Sequence, residues 1–158
     1  MDFREIDYKD KYKKDVLSAI DQGYKDVGYS GIELDSLDDD LNEIEKSYSK
    51  PSVFRLIFDK NKLIATYAVK VIKDHNKAEL KRVYVDKNYR GQGLAKRISQ
   101  EAFNYVQGLG MNHLDIWSGT LCHTAHHLYQ KLGAQKTEQQ RELGGVDDVI
   151  EYHFVKEL

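Results

Sequence analysis

The most restrictive feature of this sequence is a glycine-containing junction between a predicted strand and a predicted helix. The junction is the segment Arg90 to Ala95, Arg-Gly-Gln-Gly-Leu-Ala. It follows the strand-like run Leu80–Val85 and precedes apolar residues at helical spacing from about residue 92 to 109. Glycines let backbone N–H groups approach a ligand closely, and a helix N-terminus attracts anions. This placement therefore predicts a site for a phosphate or pyrophosphate group.

Composition narrows the class of protein. A chain of 158 residues is long enough for one domain with a normal core, so we expect a single domain over residues 1–158. The formal net charge of −2 disfavours a dedicated nucleic-acid-binding protein. The single cysteine, Cys122, excludes an internal disulfide and fits a reducing compartment. Since no leader pattern and no long apolar run is evident, we expect a cytoplasmic protein that does not bind a membrane.

Hydrophobic periodicity and turn residues predict seven strands and four helices in the order β-α-α-β-β-β-α-β-α-β-β. Gly23 is the predicted end of the first helix, and Asp35 or Ser36 is the predicted cap of a second helix reaching Tyr48. The fold class is α+β, an α/β sandwich with a mixed, mostly antiparallel sheet. Strands are expected at Phe3–Asp7, Val53–Phe58, Leu63–Val69, Ala78–Val85, His113–Trp117, Gln135–Arg141 and Val149–Val155, and the last two helices at 92–109 and Leu121–Leu132.

Two motifs on these elements resemble the GCN5-related N-acetyltransferase superfamily. The segment Asn88–Gly93 is similar to its Gln/Arg-x-x-Gly-x-Gly/Ala signature, with Asn88 at the variable first position. The helix end with Ala125 and Tyr129, followed by Gln-Lys-Leu-Gly-Ala, is similar to a second signature, with Ala134 where Phe or Tyr is usual. The resemblance covers nearly the whole chain and implies the acyl-CoA N-acyltransferase fold.

The resemblance also implies how acetyl-CoA would bind. In that family the glycine loop holds the pyrophosphate, and the preceding strand separates from its neighbour so that its free backbone pairs with the pantetheine arm. An extended, amide-bearing arm can add to an open strand edge as a peptide does. The matching coenzyme positions are Val83, Tyr84, Val85, Arg90, Gly91, Gln92, Gly93, Leu94 and Ala95.

Acetyl transfer to an amine requires a neutral nucleophile, a stabilised oxyanion and a proton for the leaving thiolate. By resemblance, Tyr129 is the general acid, although a packed aromatic at helical spacing is the alternative. Glu79 matches the general base of some members, acting directly or through water, and an exposed strand carboxylate is its alternative. A backbone N–H near Val85 would hold the oxyanion.

Three other features carry weaker predictions. His123 and His127 are spaced as a helical metal pair, but neither the motif glutamate nor a third ligand is evident, so we predict polar helix residues beside His126 and no metal. Cys122 stands where the family often has an Asn, and we interpret it as a small buried thiol. The acidic run Asp35–Asp40, with Glu43 and Glu45, has two interpretations. We favour stabilisation of a helix N-terminus, and the alternative is attraction of a cationic amine acceptor.

The combined prediction is an acetyl-CoA-dependent N-acetyltransferase that acts by direct transfer in a ternary complex. Its acceptor is a primary amine of a small molecule or protein, and a homodimer is an open alternative to a monomer. A non-catalytic acyl-CoA-binding or regulatory module of the same fold is the alternative function. A nucleotide-phosphate binder is a third, although the Gly-Lys-Ser/Thr of a Walker loop is absent.

Overall fold

One seven-stranded sheet in the order β1-β2-β3-β4-β5-β7-β6 organises the protein. The computed structural model describes residues 2–158. Every neighbouring pair of strands is antiparallel except β4 and β5, which are parallel. The strands are β1 Arg4–Asp7, β2 Val53–Asp59, β3 Lys62–Ile72, β4 Lys77–Val85, β5 His113–Gly119, β6 Gln135–Gly144 and β7 Val149–Glu157, and the helices are α1 Lys13–Val27, α2 Ile44–Ser47, α3 Leu94–Gly108 and α4 His123–Lys131.

Each face of the sheet has its own apolar core. On one face, residues of α3 such as Ile98 and Phe103 pack with Leu80, Leu114 and Phe154 of the strands. On the other face, α1 and the segment after it pack over β2 and β3 through side chains that include Val16, Ile20, Leu41, Phe54 and Leu56. The predicted fold class and element order are confirmed. Within residues 2–158, no helix combines the length and apolarity needed to cross a membrane.

The prediction that Gly23 ends the first helix was wrong. Helix α1 continues to Val27 and ends at Gly28, whose φ of 109° suits a residue without a side chain. A Cβ atom on Gly23 would lie 2.7 Å from the Tyr84 ring. Gly23 therefore provides room for Tyr84, and this contact seats α1 against β4.

The predicted second helix from Leu37 to Tyr48 was also wrong in extent. The chain forms a 3-10 turn over Asp39–Asn42 and then only the four-residue helix α2. Neither Asp35 nor Ser36 caps it, because the residue before α2 is Glu43. Two carboxylates of this segment, Asp38 and Asp40, instead bind Arg82 of β4, and these contacts favour an irregular path over a regular helix.

A pair of carboxyl groups lies where β1 meets α3, away from the glycine loop. The Tyr67 hydroxyl is 3.3 Å from an oxygen of Glu5 and 3.3 Å from one of Glu101. Burial, together with the hydrogen bond and charge of Glu101, raises the pKa of Glu5 to about 7. The pair therefore keeps a proton that an unfolded chain would release at lower pH.

This carboxyl pair predicts a loss of stability near neutral pH. A carboxyl group whose pKa rises on folding stabilises the protein below its unfolded pKa, and that contribution disappears as the pH rises through the folded value. We expect the free energy of unfolding to fall by about 1–2 kcal/mol between about pH 4.5 and pH 7. Urea unfolding of wild type and Glu5→Gln across this range checks it. Parallel pH profiles for the two proteins would contradict the assignment.

Candidate active site

The sheet opens between β4 and β5. These strands pair only through Glu79 with Asp115 and Leu80 with Ile116, and then separate. Strand β4 stays paired with β3, and β5 stays paired with β7. A cavity of about 940 Å³ lies at this opening and reaches the glycine loop, α4, and the segment after α1. An edge of β4 is thereby left facing the cavity rather than another strand.

The glycine loop forms one end of this cavity. Gly91 and Gly93 have φ values of 75° and 82°, which favour glycine over other residues. Gly93 is the residue before α3, and no side chain caps this helix. Within residues 2–158, the N–H groups of Gly91 to Ala95 donate to no protein acceptor. Because a Cβ on either glycine would meet open space, these donors are accessible to a bound anion.

Arg90 attaches this loop to the rest of the site. Its Nε donates to the carbonyl oxygen of Val85 at 2.9 Å, and its guanidinium binds Asp26 of α1 at 2.8 Å. Hydrogen bonds from Gln22 and Arg90 hold the pKa of Asp26 below its usual value. The side chain of Arg90 therefore ties the loop to β4 and α1, while the N–H groups that follow remain without a protein acceptor.

Tyr129 lies on α4 in the wall of the cavity. It is 5% exposed, and its ring packs against Phe154 with the centroids 6.1 Å apart. Burial raises the pKa of its hydroxyl, so the proton stays on the oxygen at neutral pH. Burial also raises the pKa of the neighbouring Cys122 thiol, which disfavours a nucleophilic role for this cysteine.

Glu79 reaches the cavity from β4. It alternates with the buried residues Ala78 and Leu80, so its side chain points away from the α3 core. Glu79 and Tyr129 both line the cavity, as do the strand positions Val83 to Val85. The structure therefore brings the predicted catalytic and coenzyme positions to one cavity, except Gln92, which does not line it, while the role of each remains a prediction.

The wall across from the glycine loop contains residues that the sequence analysis missed. The Arg141 guanidinium lies 4.6 Å from the centre of the Trp117 ring and donates to Glu151 at 2.6 Å. All three residues line the cavity. A tryptophan in a predicted strand carries no signal of such a role, because strands of any protein are rich in aromatic residues.

Two loops meet at this far end of the cavity. The backbone N–H and hydroxyl of Ser30 donate to Asp147 at 2.8 and 2.6 Å, and these bonds hold the pKa of Asp147 below its usual value. The Val146 N–H points at the Glu33 carboxylate, with distances of 3.2 and 3.3 Å. Gly145 has a φ of 75°, which favours glycine, and a Cβ there would lie 2.5 Å from the Glu33 carboxylate. The segment after α1 is thus joined to the β6–β7 turn.

The acidic run after α1 has a use that neither sequence interpretation anticipated. Asp38 and Asp40 bind the guanidinium of Arg82. Burial opposes ionisation of Asp40, but Arg82 and the Tyr48 hydroxyl outweigh it, and the pKa of Asp40 lies below its usual value. One signal was present in the sequence: strict alternation after Ala78 and Leu80 would place Arg82 inside a core, where an unpaired charge is unfavourable.

The histidines of α4 do not converge. The His126 Nε2 atom lies 3.1 Å from the Ser118 hydroxyl, and burial lowers the pKa of His126. His123 and His127 are exposed. Across residues 2–158, no group of three or more His, Cys, Asp or Glu side chains is arranged to hold a metal ion.

Comparison with known sequences identifies relatives. The family model described as the acetyltransferase (GNAT) family matches residues 18–134. The chain is 27% identical over 118 residues to N-acetylaspartate synthetase of Xenopus tropicalis, covering 73% of this chain and 40% of that protein. It is 28% identical over 127 residues to N-acetyltransferase 8 of Mus musculus, covering 75% and 56%. The chain thus spans about half the length of these curated relatives.

Solved structures share the fold. An acetyltransferase of the GNAT family from Staphylococcus aureus Mu50 superposes with a TM-score of 0.86 at 19% identity, covering 99% of both chains. The ribosomal-protein-S18-alanine N-acetyltransferase of Escherichia coli superposes with a TM-score of 0.75 at 14% identity, covering 99% of this chain and 94% of that one. At these identities the likeness concerns the fold alone.

Proposed function

The chain belongs to the acetyltransferase (GNAT) family, as its motifs predicted, and we propose that it moves the acetyl group of acetyl-CoA to a primary amine. The observation that supports this most strongly is the open edge of β4 beside a loop of unpaired N–H donors. An extended amide arm ending in a pyrophosphate requires both features together.

The proposed coenzyme position follows from that geometry. The N–H groups from Arg90 to Ala95 would hold the pyrophosphate, and the edge of β4 from Val83 to Val85 that faces away from β3 would pair with the pantetheine arm. In this arrangement the thioester would lie between β4 and β5, near α4. Lys96, on the cavity wall one residue beyond the loop, adds a positive charge on the same side.

The proposed reaction is direct transfer within a ternary complex. Glu79 takes a proton from the acceptor ammonium, directly or through a water, and the neutral amine attacks the thioester carbonyl. A backbone N–H of β4 near Val85 stabilises the oxyanion. As the carbon–sulfur bond breaks, Tyr129 gives its proton to the leaving thiolate. The position of Tyr129 in the cavity wall supports this role. Burial raises the pKa of its hydroxyl, which keeps the proton on the oxygen at neutral pH but also makes the group a weaker acid.

An amine panel tests the proposed function. Acetyl-CoA is incubated with the protein and with polyamines, aminoglycosides, a lysine peptide and amino acids, including aspartate because one relative is named N-acetylaspartate synthetase. Release of free CoA and the acetylated product are measured. Transfer to at least one amine is expected. Binding of acetyl-CoA without transfer to any amine, and without hydrolysis, would instead support the non-catalytic acyl-CoA-binding module.

Replacing Glu79 by glutamine tests the proposed base. With an acceptor found in the panel, Glu79→Gln is expected to lower kcat/KM about 10²-fold at neutral pH, since the ammonium loses its proton acceptor. The matched control is Glu142→Gln, because Glu142 is an exposed strand carboxylate outside the cavity. Equal kcat/KM values for the two variants would remove Glu79 from this role.

A further inference from the structure

Arg82 interrupts the regular geometry of β4 at the point where the sheet opens. Ala68 of β3 faces Lys81, but Thr66 faces Tyr84, so two β4 residues oppose Tyr67 and form a bulge. Arg82 has a φ of 57°, a conformation that is uncommon for a residue with a side chain. A strained backbone of this kind persists only where its surroundings hold it. The Thr66 hydroxyl provides one such contact, donating to the Arg82 carbonyl oxygen at 2.7 Å.

The bulge turns the Arg82 side chain into a buried cluster of polar groups. Its guanidinium is 6% exposed and donates to Asp38 at 2.7 Å and to Asp40 at 2.5 Å. It also donates to the Tyr24 hydroxyl at 2.6 Å. The Tyr48 hydroxyl donates to Asp40 from the other side. Three partners from α1 and the segment after it therefore bind one β4 side chain, and Tyr48, just after α2, supports one of them.

The same cluster continues to the far wall of the cavity. The second oxygen of Asp38 accepts a hydrogen bond from the Glu33 N–H at 2.8 Å. The Glu33 carboxylate in turn accepts the Val146 N–H of the β6–β7 turn. Polar contacts thus link Arg82 through Asp38 and Glu33 to that turn, so this arginine is connected to two parts of the cavity wall.

We propose that Arg82 is a positioning residue for acetyl transfer, whose buried guanidinium holds both the β4 bulge beside the coenzyme arm and the acceptor-side segment after α1. The proposal rests on the proposed function. Arg82 itself borders the cavity, but its guanidinium is engaged by Asp38, Asp40 and Tyr24. It therefore acts through its chain neighbours Lys81 and Val83 and through Asp38. The guanidinium binds Asp40 through Nε and Nη2 and Asp38 through Nη1, and an ammonium lacks this fixed, planar set of donors.

Charge makes the cluster sensitive to loss of this one side chain. Asp38 and Asp40 are two like charges in a buried setting, and Arg82 is the cation bonded to both. Without it, the carboxylates would be uncompensated, and the segment that carries them would move towards water. Release of this segment would displace Glu33 and relax the bulge, so the coenzyme and acceptor sites would lose their relative position.

The test separates positioning from stability with three variants and one control. Arg82→Met removes the positive charge, and Arg82→Lys keeps the charge but lacks the planar set of guanidinium donors. The triple variant combines Arg82→Met with Asp38→Asn and Asp40→Asn, and so it also removes the two carboxylate charges that would be left uncompensated. Arg55→Met is the matched control, because Arg55 also binds two carboxylates, Glu5 and Asp7, but lies outside the cavity. Thermal unfolding, acetyl-CoA affinity by calorimetry, and kcat and KM are measured for each.

The triple variant is expected to unfold near the wild-type temperature, because no uncompensated charge is left in it. It should still lose on the order of 100-fold in kcat/KM, because the guanidinium bonds that fix the bulge and the segment are gone and a displacement of about 1 Å is enough for such a loss. Arg82→Lys should fall between it and wild type, and Arg55→Met should retain wild-type kcat/KM. A triple variant with wild-type stability, affinity and kcat/KM would overturn the proposal. Failure of the proposed function looks different, because wild type itself would then transfer the acetyl group to no amine, whether or not it bound acetyl-CoA.

Discussion

Tyr129→Phe is expected to lower kcat about 10²–10⁴-fold while acetyl-CoA affinity stays close to that of wild type. The substitution removes only the hydroxyl, so the ring keeps its contact with Phe154. The leaving thiolate then lacks a proton donor in a buried site where water replaces it poorly. Steady-state kinetics at saturating acetyl-CoA, together with calorimetry for affinity, measure the two effects separately.

Tyr105→Phe is the matched control for this experiment. Tyr105 lies on α3, donates to the Pro51 carbonyl oxygen at 2.6 Å and is absent from the cavity wall. Its loss is expected to lower the free energy of unfolding by about 1 kcal/mol without changing kcat. If Tyr129→Phe behaves like Tyr105→Phe, with kcat preserved, Tyr129 is a packed aromatic and another group donates the proton.

Gly93→Val is expected to weaken acetyl-CoA binding on the order of 100-fold or more. The new side chain would occupy the space in front of the loop N–H donors, and a β-branched residue fits poorly at a φ of 82°. Hydrogen bonds to a charged ligand contribute about 1.5–3 kcal/mol each, so loss of one or two accounts for this factor. Isothermal titration with acetyl-CoA measures it.

The chain offers a close control for the strain in this variant. Gly110, just after α3, also has a φ of 82°, and a Cβ there also meets open space. Gly110→Val should therefore destabilise the fold to a similar degree without affecting the cavity. Equal acetyl-CoA affinity for Gly93→Val and Gly110→Val would refute the assignment of a pyrophosphate to the glycine loop.

Local patterns predicted most elements because they report on local physics. The apolar spacing of α3, the alternation in β4 and the turn residues between β2 and β3 each act over a few residues, and the structure has these elements close to the predicted bounds. Strand ends were less accurate, since β3 extends to Ile72 and β6 to Gly144 through pairing with neighbours. The predicted family is confirmed for the same reason: its two motifs are short and local.

Predictions failed where a residue serves a distant partner. By local rules Gly23 should end a helix. Instead it lies within α1, where the absence of a side chain leaves room for the Tyr84 ring. Local rules predicted that the acidic run caps a helix, but Asp38 and Asp40 instead bind Arg82, more than 40 residues away in the chain. Helix propensity is weak compared with a buried, multiply bonded ion pair, and so the tertiary contact prevails.

The sequence by itself determined the order of the elements, the family and the loop of free N–H donors before α3. These depend on spacing and on glycine conformation, both of which are properties of short segments. Only the tertiary structure decided how far β4 and β5 separate, which carboxylates remain available to an acceptor, and that Arg82 turns away from the α3 core. The physical reason is that a bulge, a sheet opening and a buried ion cluster are each defined by partners distant in the chain, whose meeting depends on the whole fold.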